Sequence, residues 1–77
     1  MKSLENILKE KIILEMLAKG NLTDIKKLKK NIDKYLLILF EENHVDKIID
    51  ELTINKMDGE TKIFYLKDSS LNYLDMN

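Results

Sequence analysis

The chain has 77 residues, enough for one domain that buries about 60% of the surface its unfolded chain would expose. It contains no Cys and one His, which excludes disulfides, thiolate-bound zinc and a metal site built from histidines alone. All thirteen basic residues are Lys, and fourteen acidic residues bring the net charge to -1. Without Arg, any contact with nucleic acid would depend on lysine point charges.

The sequence contains no segment typical of membrane insertion or secretion. Charged residues occur throughout the first twenty positions, and the longest unbroken apolar run, 35–40, is far shorter than a transmembrane helix requires. We therefore expect a cytoplasmic protein without membrane contact.

Apolar residues at helical spacing predict a first helix over about residues 4–18. Ser3 is the candidate N-cap, and Gly20 fits the left-handed position that often ends a helix. The stripe consists of Leu4, Ile7, Leu8, Ile12, Ile13, Leu14 and Leu17.

The next segment, 24–42, carries an apolar residue every three or four positions, which favours one long helix after an N-cap at Thr23. The alternative is a break near Asn31, with Asn31 or Asp33 capping a second helix, as helix-turn-helix domains require. The lysines of the segment 24–42 lie mainly in its first half. Residues 23–40 contain five lysines and two aspartates, whereas residues 41–77 contain nine acidic residues and four lysines.

Residues 35–40 are apolar around the whole helix circumference and must therefore be covered. A central core helix is the favoured explanation, and a homodimer or partner interface is the alternative. A buried strand also fits the length and the residue types. The candidate interface residues are Tyr35, Leu37, Ile38 and Phe40.

A third amphipathic helix follows, with Asn43 as its candidate cap and an apolar stripe of Val45, Ile48, Ile49 and Leu52. Its other face is acidic. His44 is expected at the surface or in the cap, because no second His and no Cys or Ser lies near it in sequence.

Residues 52–66 alternate around an Asp-Gly pair and predict a β-hairpin with Asp58 and Gly59 at the centre of its turn. In that register Ile54 faces Ile63, and Thr53 faces Phe64. An isolated two-stranded hairpin is only marginally stable in water, so we expect this one to pack against the helices or to pair with a third short strand. Residues 1–67 then form the single domain, followed by a polar tail, 68–77, that frays or forms a short helix around Leu71, Tyr73, Leu74 and Met76.

The order of helices followed by a hairpin is that of winged helix-turn-helix domains, and two stretches resemble that superfamily. The stretch 13–23, ILEMLAKGNLT, is similar to the first helix and following turn of bacterial and archaeal winged-helix regulators. The stretch 58–66, DGETKIFYL, is similar to the wing hairpin of ArsR-type members. Together they cover about a quarter of the chain. The resemblance implies a winged-helix-like fold and a DNA-binding, transcription-regulatory function.

The sequence departs from the family pattern at the element that normally reads bases, because the helix before the hairpin is acidic and the wing has no Arg. The resemblance then implies contacts to the DNA backbone rather than to bases. The lysines that would make them are Lys26, Lys27, Lys29, Lys30 and Lys34 on the helices, with Lys56 and Lys62 on the wing.

The alternative function is a non-enzymatic protein-interaction module, such as a small adaptor, an inhibitor or an antirepressor from a mobile element. It would use the apolar run 35–40 and the acidic C-terminal half. A homodimer is expected. We expect no enzyme, no cofactor, no metal and no small-molecule substrate, because the chain has one His, no Cys and no glycine-rich phosphate loop.

Overall fold

Four α-helices precede an antiparallel pair of strands in the computed structural model, which describes residues 2–75. The mainly α fold with a C-terminal β-hairpin, expected from the sequence, is confirmed. The elements are α1 (Leu4–Lys19), α2 (Ile25–Asn31), α3 (Lys34–Leu37), α4 (Glu42–Leu52), β1 (Thr53–Asp58), β2 (Thr61–Leu66) and a 3-10 helix (Asp68–Asp75).

The first helix, α1, begins and ends where its sequence signals predict. The hydroxyl of Ser3 accepts a hydrogen bond from the amide of Asn6 at 3.1 Å, which satisfies one of the free donors of the first turn. Gly20 has φ +86° and its amide donates to the carbonyl of Met16. A residue with a side chain would be strained in that conformation.

The favoured single helix over residues 24–42 is wrong, because the chain breaks between α2 and α3. Ile32 adopts an extended conformation (φ −89°, ψ 142°) and is buried in the core. The carboxylate of Asp33 then accepts a hydrogen bond from the amide of Tyr35 at 2.8 Å and caps α3. The burial of Ile32 and the Asp33 cap explain why the regular spacing of apolar residues over 24–42 does not produce one continuous helix.

The prediction that residues 35–40 form a central core helix is also wrong. Regular helix ends at Leu37, and tighter turns carry the chain through Ile38, Leu39 and Phe40. No residue of α3 is fully buried. The segment lies at the surface, so part of its apolar circumference faces solvent.

The α4 helix buries the predicted stripe of Val45, Ile48, Ile49 and Leu52. Its N-cap is Glu41 rather than Asn43, and the Glu41 side chain makes no capping hydrogen bond.

Carbonyl groups at the C-terminal end of α4 are satisfied by residues outside the helix. The Thr53 hydroxyl donates to the carbonyl of Ile49 at 2.7 Å. The buried Ser70 hydroxyl and the Lys67 amide both donate to the carbonyl of Leu52, at 2.9 and 3.0 Å. These bonds replace the partners that the end of a helix lacks.

The hairpin forms as predicted, but its turn lies one residue further along the chain. Asp58 pairs with Thr61, so Gly59 and Glu60 are the central residues. Gly59 has φ +64° and Glu60 does not have a positive φ, a combination typical of a type II′ turn. The expected pairs of Ile54 with Ile63 and of Thr53 with Phe64 are therefore wrong.

In the observed register Thr53 pairs with Leu66, and Asn55 pairs with Phe64. Thr53 and Phe64 are buried, whereas Ile54, on the opposite face of the ribbon, is exposed. The hairpin thus packs one face on the helices.

A single residue between α1 and α2 extends this sheet. The amide of Leu22 donates to the carbonyl of Phe64 at 3.1 Å, and the amide of Phe64 donates to the carbonyl of Leu22 at 2.7 Å. The sequence allowed packing on the helices or pairing with a third short strand, and the hairpin packs on the helices and gains this isolated antiparallel bridge rather than a third strand. The bridge fixes the start of α2 against β2.

The segment after β2 forms the 3-10 helix and packs on α1. Tyr73 and Leu74 are half-buried against the core, whereas Leu71 is exposed. Met76, which the sequence grouped with these apolar residues, lies outside the described residues.

The core lies between α1, α2, α4 and β2. It contains Leu8, Ile12, Ile13, Met16, Leu22, Leu28, Ile32, Val45, Ile48, Ile49, Leu52 and Phe64. Within residues 2–75, no helix combines the length and the apolarity that crossing a bilayer requires.

Candidate functional site

Three exposed lysines lie on the side of α2 that faces away from the core. Leu28 is buried and Ile25 packs against the core. At about 100° per residue, Lys26, Lys27 and Lys30 fall within one arc of about 100° on the opposite side. All three are exposed, and among the described residues none makes a salt bridge. We call this surface the α2 lysine face.

The other two helical lysines of the predicted site lie elsewhere. Lys29 turns toward α4, where its Nζ lies 2.6 Å from a carboxylate oxygen of Asp46 and 4.0 Å from one of Glu42. This pairing neutralises Lys29 and fastens α2 to α4. Lys34 belongs to α3, where its Nζ lies 5.5 Å from the centre of the Tyr35 ring.

The two lysines of the hairpin do not share a surface. Lys62 pairs with Met57 and Lys56 pairs with Ile63, so the two lysines project from opposite faces of the ribbon. The Nζ of Lys56 lies 5.8 Å from the centre of the Tyr65 ring, and that of Lys62 lies 5.4 Å from the centre of the Phe64 ring. A flat partner surface can therefore be contacted by only one of these two lysines.

The α4 helix, which follows the basic segment, carries the opposite charge. Four carboxylates and a single lysine occupy its length. Glu42, Asp50 and Glu51 are exposed. This surface repels phosphate groups and suits a positively charged partner.

A second candidate surface is apolar and lies on α3 and the turn after it. Tyr35, Ile38 and Leu39 are 70%, 74% and 58% exposed. Tyr35 belongs to α3, and Ile38 and Leu39 belong to the turn that follows it. We call this surface the α3 apolar face.

The sequence-predicted interface overlaps this face only in part. Tyr35 and Ile38 belong to it, whereas Leu37 and Phe40 are half-buried against the core. Leu39 was not among the predicted residues, although its spacing of four from Tyr35 was the signal that could have found it.

An open groove of about 270 Å³ adjoins the α3 apolar face. The partly buried Leu37 and Phe40 line it together with Ile38 and Val45. Charged residues border it, namely Lys29, Lys34 and Glu42. The groove is therefore apolar and edged by both signs of charge.

The most buried charge of the described chain belongs to Lys9 on α1, which is 7% exposed. Its Nζ lies 3.4 Å from a carboxylate oxygen of Glu51, 3.9 Å from one of Glu5 and 3.5 Å from the hydroxyl of Tyr73. Burial lowers the pKa of the Lys9 ammonium, but the Tyr73 hydroxyl and the Glu51 charge outweigh it and raise the pKa above its ordinary value. This cluster ties α1 to α4 and to the 3-10 helix.

No group of three His, Asp or Glu side chains within residues 2–75 comes together as a metal site would require. His44 is exposed, and its Nε2 lies 3.6 Å from a carboxylate oxygen of Glu5. Comparison of the chain with protein families, curated proteins and solved structures gave no significant match. The candidate functional sites are the α2 lysine face and the α3 apolar face.

Proposed function

We propose that this chain is a small winged-helix-like DNA-binding module that contacts the phosphate backbone through the α2 lysine face. The order of its elements supports this, since helices followed by a hairpin are the order of that class of domain. The proposed setting is transcription regulation in the cytoplasm.

The observation that carries the proposal is the arrangement of Lys26, Lys27 and Lys30. They stand together on one side of a helix and are exposed, whereas Lys29, on the same helix, is neutralised by Asp46. Ammonium groups that are free and clustered release counterions from DNA when they contact phosphates, which supplies sequence-independent affinity.

The acidic α4 surface determines the kind of binding we propose. Lys29 and Lys9 offset the charges of Asp46 and Glu51, but the carboxylates of α4 still outnumber its one lysine, so we do not expect this helix to read base edges in the major groove. Contacts limited to phosphates give little preference between sequences. The module would therefore sit on the DNA backbone by its basic side, with α4 turned away.

The direct test compares two double variants that remove the same charge. Lys26→Gln with Lys30→Gln removes two lysines of the α2 lysine face, whereas Lys11→Gln with Lys47→Gln removes two exposed lysines elsewhere. Binding of a labelled DNA duplex, measured by fluorescence anisotropy at low salt, should weaken strongly for the first variant and little for the second. Equal weakening would point to non-specific charge attraction, and undetectable binding by the unaltered protein would exclude the proposal.

A second candidate function, non-enzymatic binding of a protein partner, is favoured by the exposure of Tyr35, Ile38 and Leu39. An adaptor, inhibitor or antirepressor would use such a face. A pull-down with nuclease treatment separates the two functions. A protein retained after nuclease by the unaltered chain, and lost with Ile38→Asp, would favour partner binding over DNA binding.

A further inference from the structure

A groove between the end of α1 and α2 is lined mainly by polar and charged side chains, and we call it the Glu15 groove. Its volume is about 200 Å³, below the roughly 300–1,000 Å³ of pockets that hold drug-sized ligands. The buried side chains of Leu22 and Leu28 also belong to its lining. The groove therefore combines a small apolar contact area with polar groups, at a size that suits a small molecule.

Glu15 on α1 lines this groove and carries a buried polar atom without a hydrogen-bond partner. Its carboxylate oxygen Oε1 is buried, and no donor within residues 2–75 bonds to it. Glu15 also makes no salt bridge with any of these residues. A buried acceptor that has lost its hydration and found no donor destabilises the folded chain. A ligand that supplies an N–H donor in the groove would relieve this penalty.

Two lysines and a second carboxylate complete the charges of the Glu15 groove. Lys19 and Lys27 are exposed and make no salt bridge within the described part of the chain. Asp24 also lines the groove, and one of its oxygens accepts a hydrogen bond from the amide of Lys26 at 2.9 Å. The lining thus carries two positive and two negative charges that do not pair with one another. This balance disfavours a ligand with charge of a single sign and favours a ligand that carries both signs.

We propose that the Glu15 groove binds a free α-amino acid. The ammonium group of the ligand donates to Oε1 of Glu15, and its carboxylate contacts Lys19 or Lys27. Both contacts join ionised groups, and such hydrogen bonds are stronger than those between neutral groups. An α-amino acid carries both charges on a compact head, which leaves its side chain free to lie against Leu22 and Leu28.

The Glu15 groove shares only Lys27 with the α2 lysine face. The carboxylates of Glu15 and Asp24 repel phosphate, so DNA does not suit the groove. Binding of an amino acid does not depend on the proposed DNA binding, and either can fail while the other holds.

Thermal unfolding of the ligand-free chain tests the premise that Glu15 is unpaired. Glu15→Met keeps the length of the side chain and its preference for a helix but removes the buried oxygen, so Tm should rise by about 4–8 °C. Glu60→Met, at an exposed position in the hairpin turn, is the control and should change Tm little. A Tm lowered by Glu15→Met would show that the carboxylate has a partner within the fold and would remove the basis of the proposal.

Backbone-amide NMR of the whole chain, titrated with each of the common L-amino acids in turn, tests the site itself. At least one amino acid should give saturable shifts at Asn21, Thr23 and Leu28. Two analogues of that amino acid each lack one charge, since its N-acetyl derivative has no ammonium group and its amide has no carboxylate. Both should bind at least about tenfold more weakly, because each loses a charged contact. No saturable shift with any amino acid, or equal binding of the analogues, would overturn the proposal.

Charge-neutral variants assign the two contacts in the same titration. Glu15→Gln should raise the dissociation constant at least about tenfold, and Lys19→Gln should raise it less because Lys27 remains. The controls Glu60→Gln and Lys47→Gln, at exposed positions outside the groove, should leave the dissociation constant unchanged. The amide spectrum of each variant reports whether it folds. A folded Glu15→Gln variant that binds the amino acid as tightly as the unaltered chain would contradict the assignment.

Discussion

The backbones of Leu22 and Phe64 exchange two hydrogen bonds, at 3.1 and 2.7 Å, across 42 positions of the chain. The pair joins the link between α1 and α2 to the second strand of the hairpin. Because α2 begins three residues later, this bridge determines where the α2 lysine face stands relative to the hairpin. Leu22 and Phe64 are both buried, so their contact belongs to the core.

Truncation of Phe64 should therefore destabilise the whole domain. We expect Phe64→Ala to lower the free energy of unfolding by about 3–5 kcal/mol, through lost burial and a residual cavity. Urea denaturation measures this loss. Ile63→Ala, at a half-buried neighbouring position, is the control and should cost clearly less. Equal losses at the two positions would contradict the assignment of Phe64 to the core face.

Replacement of Asp33 distinguishes two helices from one. In the structure Asp33 caps α3, so Asp33→Ala should destabilise by about 1 kcal/mol. In a continuous helix Asp33 would be an interior residue, and Ala would stabilise it. Thermal unfolding gives the sign of the effect, and a stabilised variant would contradict the break after Ile32. Asp50→Ala, at an exposed position within α4, is the control for the opposite sign and should stabilise slightly, because Ala favours a helix more than Asp does.

The turn of the hairpin gives a prediction about two adjacent residues. Gly59 has φ +64°, so Gly59→Ala should destabilise by about 1 kcal/mol through backbone strain. Asp58 pairs with Thr61 in the ladder and has no positive φ, so Asp58→Ala should be nearly neutral. A large loss from Asp58→Ala would instead support the register with Asp58 in the turn.

The Lys9 cluster predicts a dependence of stability on alkaline pH. The pKa of Lys9 is raised in the folded state above its ordinary value of 10.5. Its contribution to stability is therefore fully present below about pH 10.5 and is lost as the pH rises through the raised pKa. The free energy of unfolding, compared with that of Lys9→Met, should show a difference that declines over this range. A constant difference would contradict the role of the Lys9 charge.

The helices α1 and α4 and the hairpin could be predicted because their signals are local. Ser3 and Gly20 mark the ends of α1, and the stripe from Val45 to Leu52 leaves one buried side for α4. The Asp-Gly pair located the hairpin but not its register, because Gly can occupy either central position of the turn. The observed register buries Phe64 on the core side.

The break after Asn31, with Asp33 as the cap of the next helix, was the alternative that the sequence left open, and tertiary contacts decide in its favour. Ile32 leaves the helical conformation and packs in the core, and the spacing of apolar residues in the sequence does not reveal this departure. The all-apolar run then has one side against the core and the other in solvent. For the candidate site, the sequence located the lysine cluster, but it could not show that Lys29 pairs with Asp46 or that Lys56 and Lys62 lie on opposite faces.

The most direct test of DNA binding is the salt dependence of the association constant for a DNA duplex. Three phosphate contacts from Lys26, Lys27 and Lys30 predict a slope of log K against log salt of about -2.7 for each bound chain. Lys26→Gln with Lys30→Gln should reduce the magnitude of that slope by about 1.8. An association constant that does not fall with salt, or a slope that the double variant leaves unchanged, would contradict backbone binding by the α2 lysine face.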